Sequence, residues 1–178
     1  KDRDNLDGLH IKEAEKNLGS SLTYGEIDYV SFFRILYRFG NHFKYKKFYD
    51  LGSGSGRALV AARMLTDCSE IVGIELLESL HDMAEKVKKR LELPLFNRHL
   101  TRMAEVSDTI EVIKGSITEV DWSDGDFVFA NSTCFNTALM QEVSKKAELL
   151  KEGSVVVTFT KGLTDEKDLF MLIDKQRM

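Results

Sequence analysis

The residues of this chain best suited to chemistry are two carboxylates on either side of a glycine turn. Asp50 stands near the end of the run Lys47-Phe48-Tyr49-Asp50-Leu51, the turn Gly52-Ser53-Gly54-Ser55-Gly56 follows, and Glu75 closes a second run, Glu70-Ile71-Val72-Gly73-Ile74-Glu75. Gly52, Gly54 and Gly56 let the backbone turn tightly and approach a ligand closely. An acid about 20 residues beyond such a turn, at the tip of the next strand, is placed to accept both hydroxyls of a ribose. Glu75, with Leu76 beside it, is therefore the expected nucleoside contact; the bland alternative is a glycine loop followed by a solvated acid.

Charge narrows the cofactor. A dinucleotide site needs Gly-x-Gly-x-x-Gly or Ala, so that the following helix packs closely and its N-terminus holds a pyrophosphate. Here the sixth position is Arg57. Asp50 faces the turn, where it would repel a phosphate and suit a cationic amino group. The pattern favours S-adenosylmethionine, which carries an ammonium, a sulfonium and a ribose but no phosphate.

Positioning these residues requires alternating strands and helices. Residues 47–51 read as a short buried strand, 57–65 as the helix after the turn and 70–75 as the second strand of a βαβ unit. Leu77, Leu80, Ala84, Val87 and Leu91 form the apolar stripe of a helix that must stop before Pro94. Residues 109–114, 126–130 and 154–160 read as strands, and Leu139, Met140, Val143, Ala147 and Leu150 mark a helix between the last two. The alternation predicts an α/β, Rossmann-like parallel sheet covered by helices on both faces, with its ligand at the carboxyl ends of the strands. Upstream, a helix over residues 6–18 and another over 27–39, with Ile27, Val30, Phe33 and Tyr37 on one face, make an N-terminal helical cap across residues 1–40. Residues 41–178 form the cofactor-binding domain of the same globular unit. After Leu163 the chain reads as one charged helix over 164–178, with Leu169, Leu172 and Ile173 as its apolar side, and no terminal pair of strands is found.

At 178 residues and 43% hydrophobic content, one domain with a substantial core is expected. The net charge of −4 and isoelectric point of about 5.6 provide no global positive field for nucleic acid. Cys68 and Cys134 are too few for a disulfide framework, and with the four histidines they form no metal-ligand set. An intracellular, reducing setting is expected. No apolar run approaches the roughly 18 residues of a membrane span. The chain opens on Lys1 instead of Met, which points to a piece of a longer protein. Nothing in it specifies an oligomeric state.

Four segments stand in the order and spacing of a known family: Tyr24-Gly25-Glu26, Asp50 to Gly56, Gly73-Ile74-Glu75, and Asn131-Ser132-Thr133-Cys134-Phe135. Over roughly residues 20–163 the chain resembles the disruptor of telomeric silencing (Dot-one) family, histone-lysine methyltransferases with a class I methyltransferase fold and no SET domain. Family specificity rests on the Tyr-Gly-Glu and Asn-turn segments, because the glycine and acid motifs are shared by most class I methyltransferases. The chain departs from the pattern at Ile27 (usually Thr), Arg57 (usually Gln), Ser116-Ile117 (commonly Asp-Phe) and Ser132 (usually Asn).

The resemblance implies a protein substrate, a histone or nucleosome, and a nuclear location. It places Tyr24 and Glu26 over the methionine moiety, with Arg57 after the last glycine, and puts Ser116 and Ile117 at the adenine; Asp121 is an alternative adenine reader. Asn131, at the end of the fourth strand, becomes the polar contact beside the transferable methyl, accepting from a target amine or contacting the cofactor, while Phe135 and Tyr24 line the acceptor channel. A turn-forming Asn and a core Phe are the plain readings of those two positions. Rival functions are a class I methyltransferase acting on a small molecule or RNA, and a catalytically silent cofactor-binding module.

Overall fold

The computed structural model describes residues 29–39, 46–91, 109–165 and 167–175. In chain order these form α1 (Tyr29–Phe39), β1 (Lys47–Leu51), α2 (Arg57–Leu65), β2 (Glu70–Glu75), α3 (Glu78–Leu91), β3 (Thr109–Lys114), β4 (Phe127–Ala130), a short 3-10 helix (Ser132–Cys134), α4 (Thr137–Ala147) and β5 (Val155–Thr158). The five strands make one parallel sheet in the order β3-β2-β1-β4-β5. The chain runs outward from β1 through β2 to β3, then returns to the other side of β1 for β4 and β5. The switch point, where loops diverge and leave a crevice, therefore lies between β1 and β4.

Strand periodicity sorts the core into two layers. Phe48, Ile71, Phe127 and Phe129 point to one face, with Phe32 and Leu36 of α1, Leu59 of α2 and Ala84 of α3. Tyr49, Leu51, Val72, Ile74, Val128 and Ala130 point to the other, with Met140, Val143 and Ala147 of α4, Trp122 and Phe135. The same alternation assigns Asp50, Gly73 and Glu75 to the first face, under α2 and α3. Gly73 is required there, since an added Cβ would lie 2.7 Å from both Leu59 Cδ1 and Ser53 Oγ. Gly56 combines a left-handed φ of 84° with close approach to α3, where its Cβ would meet that of Ala84 at 3.2 Å.

Two predicted features are overturned. The buried side of α1 is Phe32 and Leu36, packed on Phe48 and Phe129, while the predicted face residues Val30, Phe33 and Tyr37 are exposed. This helix is apolar on two adjacent stripes, and the one facing the aromatic side of the sheet buries more surface. Residues 164–165 and 167–175 are not helical. The Asp165 carboxylate takes the amide hydrogens of Leu169 and Phe170, and Asp168 adopts a left-handed φ of 54°, so a local turn consumes donors that a helix would use. Phe170 packs into the second core layer, whereas Leu169, Leu172 and Ile173 are exposed. The predicted helix at 6–18, the Tyr24-Gly25-Glu26 connection and the loop after Pro94 lie outside the described residues. Among the described residues no strand follows β5, and no helix is long and apolar enough to cross a membrane.

Candidate active site

The glycine turn is held to β2. The amides of Gly52 and Ser53 both donate to the Ile74 carbonyl, at 2.9 and 3.0 Å, and the Gly54 amide donates to Glu75 Oε2 at 2.7 Å. Glu75 Oε1 accepts from the Leu77 amide at 2.8 Å. The acid thus braces the turn and the start of α3, and each oxygen keeps further lone-pair capacity for a ligand hydroxyl. Gly52, Gly54 and Gly56 all have positive φ, so the backbone conformation itself favours glycine at each.

Asp50 and Glu75 are both buried. Burial pushes the Asp50 carboxyl up to about 8, and the charge on Glu75 pushes the same way. Burial also raises Glu75, against the amides of Leu77, Gly54 and Leu76 and the nearby His81. Among the described residues no salt bridge reaches either acid. Two buried carboxyls without a cation make an electronegative niche at the carboxyl end of β1 and β2, suited to a positively charged group that also carries hydroxyls.

Across the switch point, Asn131 follows β4 and Phe135 follows the 3-10 turn. The Phe135 ring lies against the glycine turn, 3.6 Å from where a Cβ on Gly52 would stand. Asn131 Oδ1 accepts from the Thr133 hydroxyl at 3.0 Å. The neighbouring Ser132, fully buried, donates to the carbonyls of Phe159 and Lys161 beyond β5.

The structure therefore brings Asp50, Gly52, Gly54, Gly56, Glu75, Leu76 and Phe135 together, with Asn131 beside them at the end of β4. Arg57 opens α2 directly behind the turn. Ser116 and Ile117 follow β3, next in line after Gly115, whose amide donates to the Glu75 carbonyl at 3.0 Å. The Ser116 hydroxyl is 2.7 Å from that of Thr118 and accepts the Thr118 amide, so it caps its own turn. Ile117 packs in the second core layer, and its carbonyl accepts from Trp122 Nε1 at 2.8 Å. Asp121 is exposed and accepts from the Ser123 amide. Tyr24 and Glu26 lie outside the described residues. Sequence reasoning gave no place in the site to Thr160 or Lys161, and quoted Gly73 and Ser132 as motif members without a role of their own. Only Gly73 carried a usable signal, a glycine inside an otherwise apolar strand.

Comparison with known proteins agrees with this geometry. The family model described as "Histone methylation protein DOT1" matches residues 11–172. A histone-lysine N-methyltransferase specific for lysine 79 of histone H3, from Kluyveromyces lactis, is 28% identical over 84% of this chain; the chain spans 26% of that protein's length. The fold is similar to that of an RNA methyltransferase from Salinibacter ruber solved with S-adenosylhomocysteine, at a TM-score of 0.57 and 24% identity over 75% of this chain and 76% of that one. It is also similar to a putative S-adenosylmethionine-dependent methyltransferase from Methanococcus maripaludis, at 0.54 and 18% over 87% and 60%. These structural likenesses establish the class I methyltransferase fold.

Proposed function

We propose, from the premise that this chain belongs to the DOT1 family of histone methylation proteins, that it is an S-adenosylmethionine-dependent methyltransferase acting on lysine in a protein, a histone or nucleosome, in the nucleus. The observation that carries the reading is the buried Asp50–Glu75 pair beside the glycine turn, two acids whose chemistry suits a cation bearing hydroxyls. The histone acceptor is supported by the Kluyveromyces lactis relative and by the Asn131 turn after β4.

In this mechanism Asp50 receives the cofactor ammonium and Glu75 the ribose hydroxyls, while the three glycines keep side chains out of the path of the ligand. Leu76 and Ile117 pack near the base, with Ser116 at its edge and Arg57 behind the turn. Tyr24 and Glu26 are assigned to the methionine end by their place in the family motif. S-adenosylmethionine supplies the electrophilic methyl. The chain's own task is alignment and exclusion of water, which can account for much of the rate. Phe135 and Tyr24 wall the acceptor channel, whose low polarity lowers the pKa of an entering amine and helps it lose its proton. Asn131 offers that amine a hydrogen-bond acceptor.

Calorimetry should show S-adenosylmethionine binding in the micromolar range, and labelled cofactor should mark lysine on nucleosomes or another protein. Asn131→Ala should reduce turnover more than cofactor affinity. Label appearing on RNA or a small amine and on no protein would overturn the acceptor assignment. Absence of cofactor binding would overturn the whole reading.

A further inference from the structure

Beyond β5 the chain makes a strained turn that no motif covers. Thr160 is a non-glycine residue with φ of 65°, and the Lys161 amide donates to the Phe159 carbonyl at 2.6 Å, closing three residues into a tight bend. A β-branched residue in the left-handed region costs free energy, and such conformations persist where the surroundings over-determine them. Here the surroundings are the turn after β4. The Thr160 hydroxyl is 3.2 Å from that of Thr133, which donates to Asn131 Oδ1. The Ser132 hydroxyl donates to the carbonyls of Phe159 and Lys161, and the Lys161 ammonium donates to the carbonyl of Phe135.

The bend thus meets both proposed acceptor-side residues. One end reaches Asn131 through two hydroxyls, and the other reaches the backbone of Phe135, whose ring packs at Gly52. On these contacts we infer that Lys161 is a positioning residue for methyl transfer. Its ammonium pins the backbone of Phe135, and the strained bend at Thr160 aims it there. Fixing Phe135 and Asn131 together sets the width of the acceptor channel, whereas the carboxylates that hold the cofactor belong to β1 and β2 and do not depend on it. The inference rests on the methyltransferase reading above but concerns a different set of contacts.

The test replaces Lys161 by Met, which keeps the length of the side chain and removes its charge, and by Arg, which keeps a cation. Lys161→Met should lower kcat on the protein acceptor by about tenfold, the scale of a modest misplacement of reacting groups. Cofactor Kd should stay within about twofold, less than half a kcal/mol. Hydrogen exchange should rise at residues 131–135 and stay unchanged at 50–56. Lys161→Arg should restore most of the rate. Unchanged kcat and exchange in Lys161→Met would overturn the inference, as would parallel losses of kcat and cofactor affinity, which mark a merely structural lysine. Wild-type protein that transfers methyl to no acceptor would defeat the methyltransferase reading instead, and the exchange pattern would still judge the clamp.

Discussion

The two ends of the sheet treat the same kind of residue in opposite ways. At the amino end, Asp124 accepts from Lys47 Nζ and the Tyr49 hydroxyl, both at 2.8 Å, and Asp126 accepts from the Lys47 amide at 2.9 Å and pairs with Lys151 at 2.7 Å. Burial pushes both carboxyls up, but Lys47 and Tyr49 at the first and Lys151 at the second outweigh it and hold them below the usual range. At the carboxyl end, Asp50 and Glu75 are more deeply buried; burial raises both, and the charge on Glu75 raises Asp50 further. Lysines meet the acids at one end, whereas among the described residues none meets those at the other, and on the proposed function that end takes the positive charge of the cofactor. On the proposed function, the lysine-paired acids serve stability alone, whereas the acids at the carboxyl end serve cofactor binding as well as bracing the turn.

Substitution of Glu75 should break this contrast most severely. Glu75→Ala leaves the Gly54 and Leu77 amides without their acceptor, each at a cost of about 1–3 kcal/mol if it stays buried. Urea denaturation should register that loss, and calorimetry should show cofactor affinity falling with it. Retained stability would mean that the turn does not lean on the acid.

Asp50→Asn should separate the two properties. A carboxyl raised in the folded state contributes stability that is complete below its unfolded value of 3.8 and is lost as pH rises through about 8. Ligand-free wild type should therefore lose thermal stability between those limits through this group, and the Asn variant should lose less. The same variant should bind cofactor at least about tenfold more weakly, the value of a charge-assisted hydrogen bond. For wild type below pH 8, cofactor binding should release a proton, measurable as a dependence of calorimetric heat on buffer. Identical pH profiles of thermal unfolding in the two proteins would erase the distinction.

The smallest effect belongs to the other end. Asp126→Ala should cost about 1.5 kcal/mol, the low end for a hydrogen bond to a charged group, and leave cofactor affinity alone. Because its carboxyl is lowered, the contribution of Asp126 is present above 3.8 and fades as pH falls through its folded value, the reverse of Asp50. A change in cofactor affinity in this variant would show that the ends are coupled.

Much of the architecture was legible because strands declare themselves locally. The runs at Lys47–Leu51, Glu70–Glu75 and Thr109–Lys114 are apolar or alternating within a few residues, and their expected boundaries match the structure. The stripe of α1 was not legible, since Val30-Phe33-Tyr37 and Phe32-Leu36 satisfy the helical period equally well and only Phe48 and Phe129 across the sheet decide between them. The stretch after Leu163 failed for a local reason: its helical spacing loses to the Asp165 side chain, which takes two amides for a turn.

By itself the sequence determined the strand–turn–helix frame, the glycines that a positive φ demands and the two acids at the strand tips, because these follow from backbone sterics and from spacing along one βαβ unit. Tertiary structure alone decided that Asp50 and Glu75 share one buried face, that Phe135 comes back over Gly52, and that Lys161 reaches the turn after β4. Those relations join residues far apart in the chain, and their energies arise from desolvation and from contacts that exist only once the parallel sheet has brought the strand ends together.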